Sequence, residues 1–262
     1  MESTLEEIEF LALSRNRVDV LALLAERPRT RRELVELTGA SQPTLGRILG
    51  DFEDRAWVVR EGGEYAVTAT GRLVATGFGD LIEIMETERR LRTIVRWLPT
   101  DALTFDLRHL SAATITVPSQ VRPNAPVTRA LDLLRDAAEV SIFSYAFNEQ
   151  SLDVVRERTA TGEQRFRGVF SASAIDALAD DDQLRRRLRD LLTSEGAEIR
   201  ITDEEIPLAA TVADGSVHLF LRDGSGVLRA SIDTDDATVR SWAEESFERY
   251  WRTATPLDLG TL

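Results

Sequence analysis

The strongest constraint on the fold is a pair of helix-start signals separated by a glycine-containing turn. Thr30 is followed three residues later by Glu33, a spacing at which the two side chains cap the first turn of a helix reciprocally. Gly39 is a residue that readily ends a helix, and Ser41 with Pro43 behind it is typical of the start of the next one. The pattern predicts two short helices joined by a tight turn.

Both helices are predicted to be amphipathic. The first carries Leu34, Val35 and Leu37 on one face. In the second, the apolar stripe is Leu45, Ile48, Leu49 and Phe52, and the opposite face carries Gln42, Thr44, Arg47 and Asp51. Glutamine can pair with adenine, arginine with guanine, and a threonine methyl group can contact the methyl group of thymine. The second helix therefore has the groups needed to contact base edges in a major groove.

The flanking segments extend this pattern. Upstream, apolar residues at helical spacing over 16–25 are stopped by Pro28, which predicts a helix ending near Glu26. Downstream, the strand-like segments 57–61 and 64–68 flank Gly62 and Gly63. A two-residue glycine turn supplies the positive φ angles that tight hairpins require, so we expect a β-hairpin, or wing, at this point.

Over residues 10–75 the chain resembles archaeal winged helix-turn-helix transcription regulators. The resemblance is carried by Thr-Arg-Arg-Glu-Leu at 30–34, Ser-Gln-Pro-Thr-Leu-Gly-Arg at 41–47, the Trp-Val-Val hairpin and Val-Thr-Ala-Thr-Gly-Arg at 67–72. It implies double-stranded DNA as a partner, with base contacts from Ser41, Gln42, Thr44 and Arg47, backbone contacts from Thr30, Arg31 and Arg32, and a wing contact from Arg60. Gly46 departs from the polar residue usual at that position and is expected to remove one contact.

The charge balance points to a salty environment. The 32 basic residues are all arginine, against 45 acidic ones, for a net charge of −13. Carboxylates keep their hydration when salt competes for water, so this composition is typical of a halophile, and we expect a haloarchaeal cytoplasm. A genome rich in G and C would also explain the missing lysine, but it would not explain the acid excess. The acidic start and the absence of a long apolar segment predict no signal peptide and no membrane span.

Within this acidic chain, residues 27–47 form a basic island. Five arginines stand there against Glu33 and Glu36, a local balance of +3. At molar salt the Debye length is about 3 Å, so only charges that touch a phosphate matter, and the overall charge does not exclude DNA binding. The alternative is an adaptor that uses its winged helix to bind a protein of the transcription machinery.

A longer helix is predicted over 78–98, ended by Pro99. Its apolar residues fit either pairing across a dimer axis or packing onto its own domain. The predicted organisation is a winged helix-turn-helix domain over 1–76, a linker helix over 77–99, and an α/β effector or dimerisation domain over 100–262. A homodimer would read a palindromic operator.

The C-terminal half alternates strand-like and helix-like segments. Strands are predicted at 114–117, 140–145, 166–170 and 198–201, with helices at 127–138, 148–159 and within 173–194. The alternation predicts a mainly parallel sheet, followed by an antiparallel meander over 208–232 and a last helix over 235–252. The complete fold class is therefore α+β and α/β with a mixed sheet. Asn124-Ala125-Pro126 and Ser241-Trp242-Ala243-Glu244 resemble the effector domains of methanogen and TrmB-type regulators, which implies a non-catalytic, phospholipase-D-like architecture.

The sequence offers little support for an enzyme. Phospholipase D chemistry pairs histidine with lysine, and the chain has no lysine; it also has no cysteine and no nucleotide-binding glycine motif. His109, predicted at a strand start, and His218, in the meander, are expected to be packed and hydrogen-bonded. Asp180, Asp181 and Asp182 are expected to cap a helix. We therefore expect no catalytic residue, no cofactor and no metal.

A small-molecule effector site is predicted at the carboxyl ends of the strands, where open parallel sheets bind ligands. Its candidate residues follow three strands: Ser144, Tyr145 and Asn148; Ser171 and Ser173; Thr202 and Asp203. They converge only if these strands are neighbours. The alternative is that they cap helices and close loops in a domain that only dimerises.

Overall fold

The computed structural model describes residues 3–258 and 260. The chain divides into two compact units, Met1–Glu86 and Thr87–Leu262. Residues 1, 2, 259, 261 and 262, at the outer ends of the predicted first and last domains, lie outside the described residues.

The N-terminal unit has the element order of a winged helix-turn-helix. It contains α1 (Thr4–Ala12), α2 (Arg15–Glu26), β1 (Arg29–Thr30), α3 (Arg31–Thr38), α4 (Gln42–Asp54), β2 (Val58–Glu61) and β3 (Glu64–Val67). The strands form an antiparallel sheet in the order β1-β3-β2. The hairpin was predicted. The short strand β1, which two residues separate from the end of α2, was not predicted.

The local signals for α3 and α4 act as predicted. Thr30 and Glu33 form the complete capping box, Gly39 ends α3 in the left-handed conformation at φ 67°, and the Ser41 side chain caps α4. The four residues of the α4 stripe are all buried. Leu37 was expected on the buried face of α3, but 55% of it is exposed, because Leu34 and Val35 are the residues of this short helix that pack against the core.

The long helix, α5, was predicted at the wrong place. It spans Ala69–Leu91 rather than 78–98. It begins directly after the wing because the Thr68 hydroxyl accepts a hydrogen bond from the Gly71 amide at 3.0 Å. A Cβ atom on Gly71 would lie 2.0 Å from the Trp57 carbonyl oxygen, so only glycine allows this approach. Beyond Leu91 the chain turns and forms a short 3-10 helix at Val95–Trp97, and Pro99 therefore follows an already ended helix.

The C-terminal unit is built on an eight-stranded sheet in the order β11-β7-β6-β5-β8-β9-β10-β4. Its strands are β4 (Thr114–Thr116), β5 (Glu139–Ser144), β6 (Arg165–Ser171), β7 (Ala197–Thr202), β8 (Ala209–Ala213), β9 (Ser216–Arg222), β10 (Leu228–Thr234) and β11 (Thr255–Pro256). Its helices are α6 (Ala125–Asp136), α7 (Glu149–Ala160), α8 (Ala172–Ala179), α9 (Asp182–Leu192) and α10 (Ala237–Thr253).

The sheet is mixed, as the fold class requires, but it is not mainly parallel. Parallel pairing occurs between β5 and β6 and between β6 and β7, whereas the other described pairs are antiparallel. The alternation of helices and strands predicted the parallel part correctly. It could not show that β8 returns to the centre of the sheet and pairs with β5 in the opposite direction.

Helices cover both faces of this sheet. Side chains alternate between faces along a strand, and Ile142 packs with the helices α6 to α9 while its neighbour Phe143 packs with α10. The cluster around α10 includes Trp242, Phe247 and Tyr250. Among the described helices, none is both long and apolar enough to cross a bilayer.

Candidate functional site

The exposed face of α4 holds the predicted base-contacting residues. Ser41 and Gln42 are exposed at its start, Thr44 is half-buried, and Arg47 is exposed one turn further along. The Ser41 and Thr44 hydroxyl oxygens lie 2.8 Å apart, and the Thr44 amide donates to Ser41 Oγ at 3.3 Å. These two hydroxyl groups therefore cap the start of the helix. The side chains of Gln42 and Arg47 are exposed and form no described hydrogen bond within the protein, so both can contact a partner.

Arg31 joins this face although it belongs to the preceding helix. Its Nη2 atom donates to the Gln42 carbonyl oxygen at 2.6 Å. A Cβ atom built on Gly46 would lie 2.6 Å from the same Nη2 atom. The absence of a side chain at Gly46 was expected to remove one DNA contact. In the structure it makes room for the Arg31 guanidinium across the first turns of α4. A glycine inside a helix was the only sequence signal for this arrangement.

Most of the basic island is neutralised within the protein. Arg27 pairs with Glu33 at 3.0 Å, Arg29 with Glu26 at 2.5 Å, and Arg32 with Glu36 at 2.9 Å. Arg29 is buried and also donates to the Leu23 carbonyl oxygen, so it is part of the structure of the unit. In the part of the chain that the structure describes, Arg31 and Arg47 form no ion pair with a carboxylate.

Thr30, a predicted backbone-contact residue, is occupied in capping α3. Its amide and hydroxyl donate to Glu33 Oε2 at 2.8 and 2.9 Å. The hydrogen bond from the Thr30 backbone, then those from the Arg27 guanidinium and the Thr30 hydroxyl, lower the pKa of Glu33 to about 2. Glu33 is therefore ionised at neutral pH and fixes the start of α3, from which Arg31 extends.

Arg60 lies on the wing, opposite Tyr65 in the register of β2 and β3. It is exposed, and its guanidinium carbon lies 5.7 Å from the centre of the Tyr65 ring. The hairpin turn uses Gly62 and Gly63 at φ 57° and 94°. The hairpin therefore holds Arg60 on an element separate from α4.

The predicted effector residues meet the condition set for convergence, because β5, β6 and β7 are neighbouring parallel strands. Most of their polar atoms, however, serve the backbone. Asn148 caps α7, Ser171 caps α8, and Thr202 accepts from the Glu204 amide at 3.1 Å. The Ser173 hydroxyl lies 3.1 Å from that of Ser171.

Ser144, Tyr145 and Asn148 differ from the other candidates in their surroundings. Ser144 and Asn148 line a small cavity, although the Ser144 hydroxyl also donates to the Ala146 carbonyl oxygen at 2.6 Å. Tyr145 is half-buried beside Arg222, and burial raises the pKa of its hydroxyl. Asp203 is exposed at the end of β7.

The two histidines are hydrogen-bonded, as expected. His218 is buried on β9, with its Nδ1 atom 2.9 Å from Asp233 Oδ1. His109 lies in a 3-10 helix at Leu107–Leu110, not at a strand start, and its Nδ1 atom is 3.2 Å from Asp236 Oδ2. The 3-10 helix forms because Asp106 caps it through the Arg108 amide.

The fold and the α4 surface define a class: a winged helix-turn-helix unit followed by a mixed α/β unit. Residues 5–90 match a family described as the HVO_A0261 N-terminal domain. Residues 123–253, half of the chain, match the middle domain of the methanogenesis regulatory protein FilR1. The chain belongs to this FilR1 family.

The solved structures that resemble this chain include proteins of low sequence identity. None of the curated proteins matches. Among solved structures, the archaeal chromatin protein TrmBL2 shares 15% identity, with 90% of this chain and 91% of that chain covered, at a TM-score of 0.45. Nuc of Salmonella typhimurium, a phospholipase D family member, and NucT of Helicobacter pylori share 12% and 10% identity over 55% of this chain and 98% of theirs, at TM-scores of 0.43 and 0.41. Such distant matches assign neither a mechanism nor a ligand.

Proposed function

We propose that this protein is a transcription regulator that binds double-stranded DNA and reads an operator through α4. The observation that carries the proposal is the pair of unneutralised arginines, Arg31 and Arg47, on the exposed face of a capped helix in a chain of net charge −13. Exposed and without a carboxylate partner among the described residues, both guanidinium groups can contact an anion such as DNA. Membership of a family of regulatory proteins supports the same reading.

The proposed contacts divide by element. Gln42 and Arg47, with Ser41 and Thr44 beside them, face base edges, since amide and guanidinium groups can each make two hydrogen bonds to a purine. Arg31, Arg32 and Arg60 contact phosphates. The ion pair of Arg32 with Glu36 is exposed and therefore weak, so a phosphate can displace the carboxylate. Thr30 acts indirectly by starting α3.

The acidic surface is compatible with DNA binding in the haloarchaeal cytoplasm that we propose for the protein. Molar salt screens charges beyond about 3 Å, so the carboxylates elsewhere on the chain do not repel DNA appreciably. Direct contacts from a few arginines then determine the affinity. We propose no catalytic activity, because the chain lacks the lysine that the phospholipase D reaction requires.

We further propose that the regulator is a homodimer that pairs through α5 and α1. Along α5, Leu73, Leu81, Ile84 and Met85 are exposed at helical spacing, and Leu5 and Ile8 are exposed on α1. A groove of about 300 Å³ between the two helices has a largely apolar lining. An apolar stripe of this kind is typical of a two-fold interface, and a dimer would place two copies of α4 on a palindromic operator.

The α/β unit is proposed to make DNA binding respond to a small molecule. Ser144 and Asn148, which line a cavity beside the start of α7, support this role. A ligand would act by binding one of two DNA-affinity states more tightly than the other.

The test is fluorescence anisotropy with the promoter of the protein's own gene and a scrambled duplex, in molar KCl. The wild type should bind the promoter alone, and Arg47→Ala should weaken binding by about 5- to 150-fold, the loss of one base contact of about 1–3 kcal/mol. Arg15→Ala, which removes an exposed arginine on α2, is the matched control and should bind like the wild type.

Two results would contradict the proposal. Equal binding to both duplexes would show that the protein does not read sequence at this promoter. If selection from genomic DNA also recovered no preferred site, an adaptor that binds a protein through α4 would replace the regulator.

A further inference from the structure

A small cavity beside the start of α7 is lined by several polar side chains and one arginine. Its volume is about 30 Å³, and its lining comes from α6, the start of α7 and the strands β5, β8 and β9. The lining residues that bear on its chemistry are Ser144, Asn148, Ser151, Thr211, Phe220 and Arg222. Apart from Ser144 and Asn148, none of these was singled out in the sequence.

Two residues in this lining are buried and carry hydroxyl groups that face the cavity without a described partner. Thr211 is 3% exposed and Ser151 is 6% exposed. Within the described part of the chain, neither hydroxyl forms a hydrogen bond. Both hydroxyl groups can therefore donate a hydrogen bond to a polar occupant of the cavity.

The charges around the cavity select a negative occupant. The chain has 45 acidic residues, yet none of the described residues that line the cavity is Asp or Glu. Arg222 is present, and its Nη1 atom donates to the Gly226 carbonyl oxygen at 2.8 Å. Its buried Nε atom has no hydrogen-bond partner among the described residues. The N-terminus of α7, a helix of 12 residues, adds the positive end of a helix dipole.

An acidic group on a neighbouring strand of the same sheet, Asp233, is already neutralised. Register places Thr211 opposite His218, and His218 opposite Asp233. Asp233 Oδ1 lies 2.9 Å from His218 Nδ1 and 3.3 Å from Arg129 Nε. Its charge is therefore compensated on the far side of His218 from the cavity.

The size of the cavity decides between anions. A water molecule needs about 10–15 Å³ of such volume, so the cavity offers about two to three water-sized positions. A carboxylate group brings one carbon and two oxygens, whereas a phosphate brings one phosphorus and four oxygens. We propose that this cavity binds a carboxylate group, as a small carboxylate ion or the end of a carboxylate metabolite. Thr211 and Ser151 donate to its oxygens, and Arg222 balances its charge. This binding does not depend on the proposed DNA function.

The experiment uses acetate as the probe and the full-length protein in molar KCl. Binding is measured by the transverse relaxation of the acetate methyl protons, with acetamide as a probe of similar shape without charge. The wild type should broaden acetate and not acetamide. Thr211→Val keeps the shape of the side chain and should weaken acetate binding about tenfold, because a hydrogen bond to a charged group is lost. Arg222→Gln should weaken it at least as much.

Thr116→Val is the matched control, since it makes the same substitution on β4, outside the cavity. It should bind acetate like the wild type, and circular dichroism should show that all variants fold. No broadening of acetate, equal broadening of acetamide, or unchanged binding in both Thr211→Val and Arg222→Gln would overturn the proposal. Displacement of acetate by equimolar phosphate would overturn the assignment to carboxylates.

Discussion

At the residue scale, the α4 surface depends on Gly46, because the absence of a side chain there leaves space for the Arg31 guanidinium. A side chain at position 46 would overlap the Arg31 guanidinium, which bonds to the Gln42 carbonyl oxygen. Glycine in a helix costs up to about 1 kcal/mol relative to alanine. Gly46 therefore destabilises α4 slightly, but it allows the Arg31 guanidinium to lie over the first turns of the helix that we propose to read DNA.

Gly46→Ala and Gly50→Ala therefore make a matched pair in one helix. Both should stabilise the fold by up to about 1 kcal/mol, measured by urea unfolding, because a Cβ at Gly50 meets nothing within 4 Å and the one at Gly46 meets only the end of a flexible side chain. Only Gly46→Ala should weaken operator binding, by about fivefold, the loss of about 1 kcal/mol when Arg31 moves. Equal operator affinity in the two variants would contradict the role given to Gly46.

At the element scale, α5 is a helix with apolar side chains that the rest of its own unit does not cover. Leu73 is 74% exposed and Met85 54% exposed, so α5 presents apolar side chains three turns apart to solvent. Helices of soluble proteins rarely expose such a stripe unless another surface covers it. This supports pairing through α5, as proposed for the dimer.

The double variant Leu73→Glu, Met85→Glu should convert the dimer to a monomer, since it places charges in an apolar interface. Light scattering after size exclusion should then give the chain mass of 29.2 kDa instead of twice that value. Leu37→Glu, at an exposed leucine of α3 that lies outside both α1 and α5, is the control and should leave the dimer intact. A wild type that is monomeric at micromolar concentration would contradict the interface.

Local signals in the sequence predicted most helices and strands, whereas features that depend on contacts between distant parts of the chain could not be predicted. The caps at Thr30, Gly39 and Ser41 act within a few residues, so the sequence contains all of their geometry. The start of α5 was missed because it depends on the close contact of Gly71 with Trp57. The direction of β8 depends on strand pairing across the fold, which periodicity does not encode.

The candidate sites follow the same division. The exposed face of α4 could be predicted from the apolar stripe behind it. Which arginines remain unpaired could not, because ion pairs such as Arg27 with Glu33 require the folded arrangement. Thr211 and Ser151 stand within a strand and a helix with no distinguishing pattern, so only their burial against a cavity identifies them.

At the scale of the whole molecule, net charge determines the conditions under which this chain is stable. A charge of −13 repels itself, and salt screens that repulsion. Many of the described arginines form exposed ion pairs, which add little individually. Stability should therefore depend on the ionic strength.

The thermal unfolding midpoint should rise from 0.2 M to 2 M KCl by several degrees, about 1–2 kcal/mol for a chain of this size. Circular dichroism at constant pH measures this directly. Sorbitol at equal osmolality is the control, because it changes water activity without screening charge, and it should give a smaller rise. A midpoint that does not change with KCl would contradict the halophilic interpretation.

The central claim, that α4 reads base edges, is tested most directly by selecting binding sites from a random duplex library with the wild type and with Gln42→Arg. The account predicts that each protein enriches a motif, and that the two motifs differ at one position in each half-site, where adenine in the wild type becomes guanine in the variant. Identical motifs would show that Gln42 does not face a base. No motif from either protein would contradict sequence reading by α4 altogether.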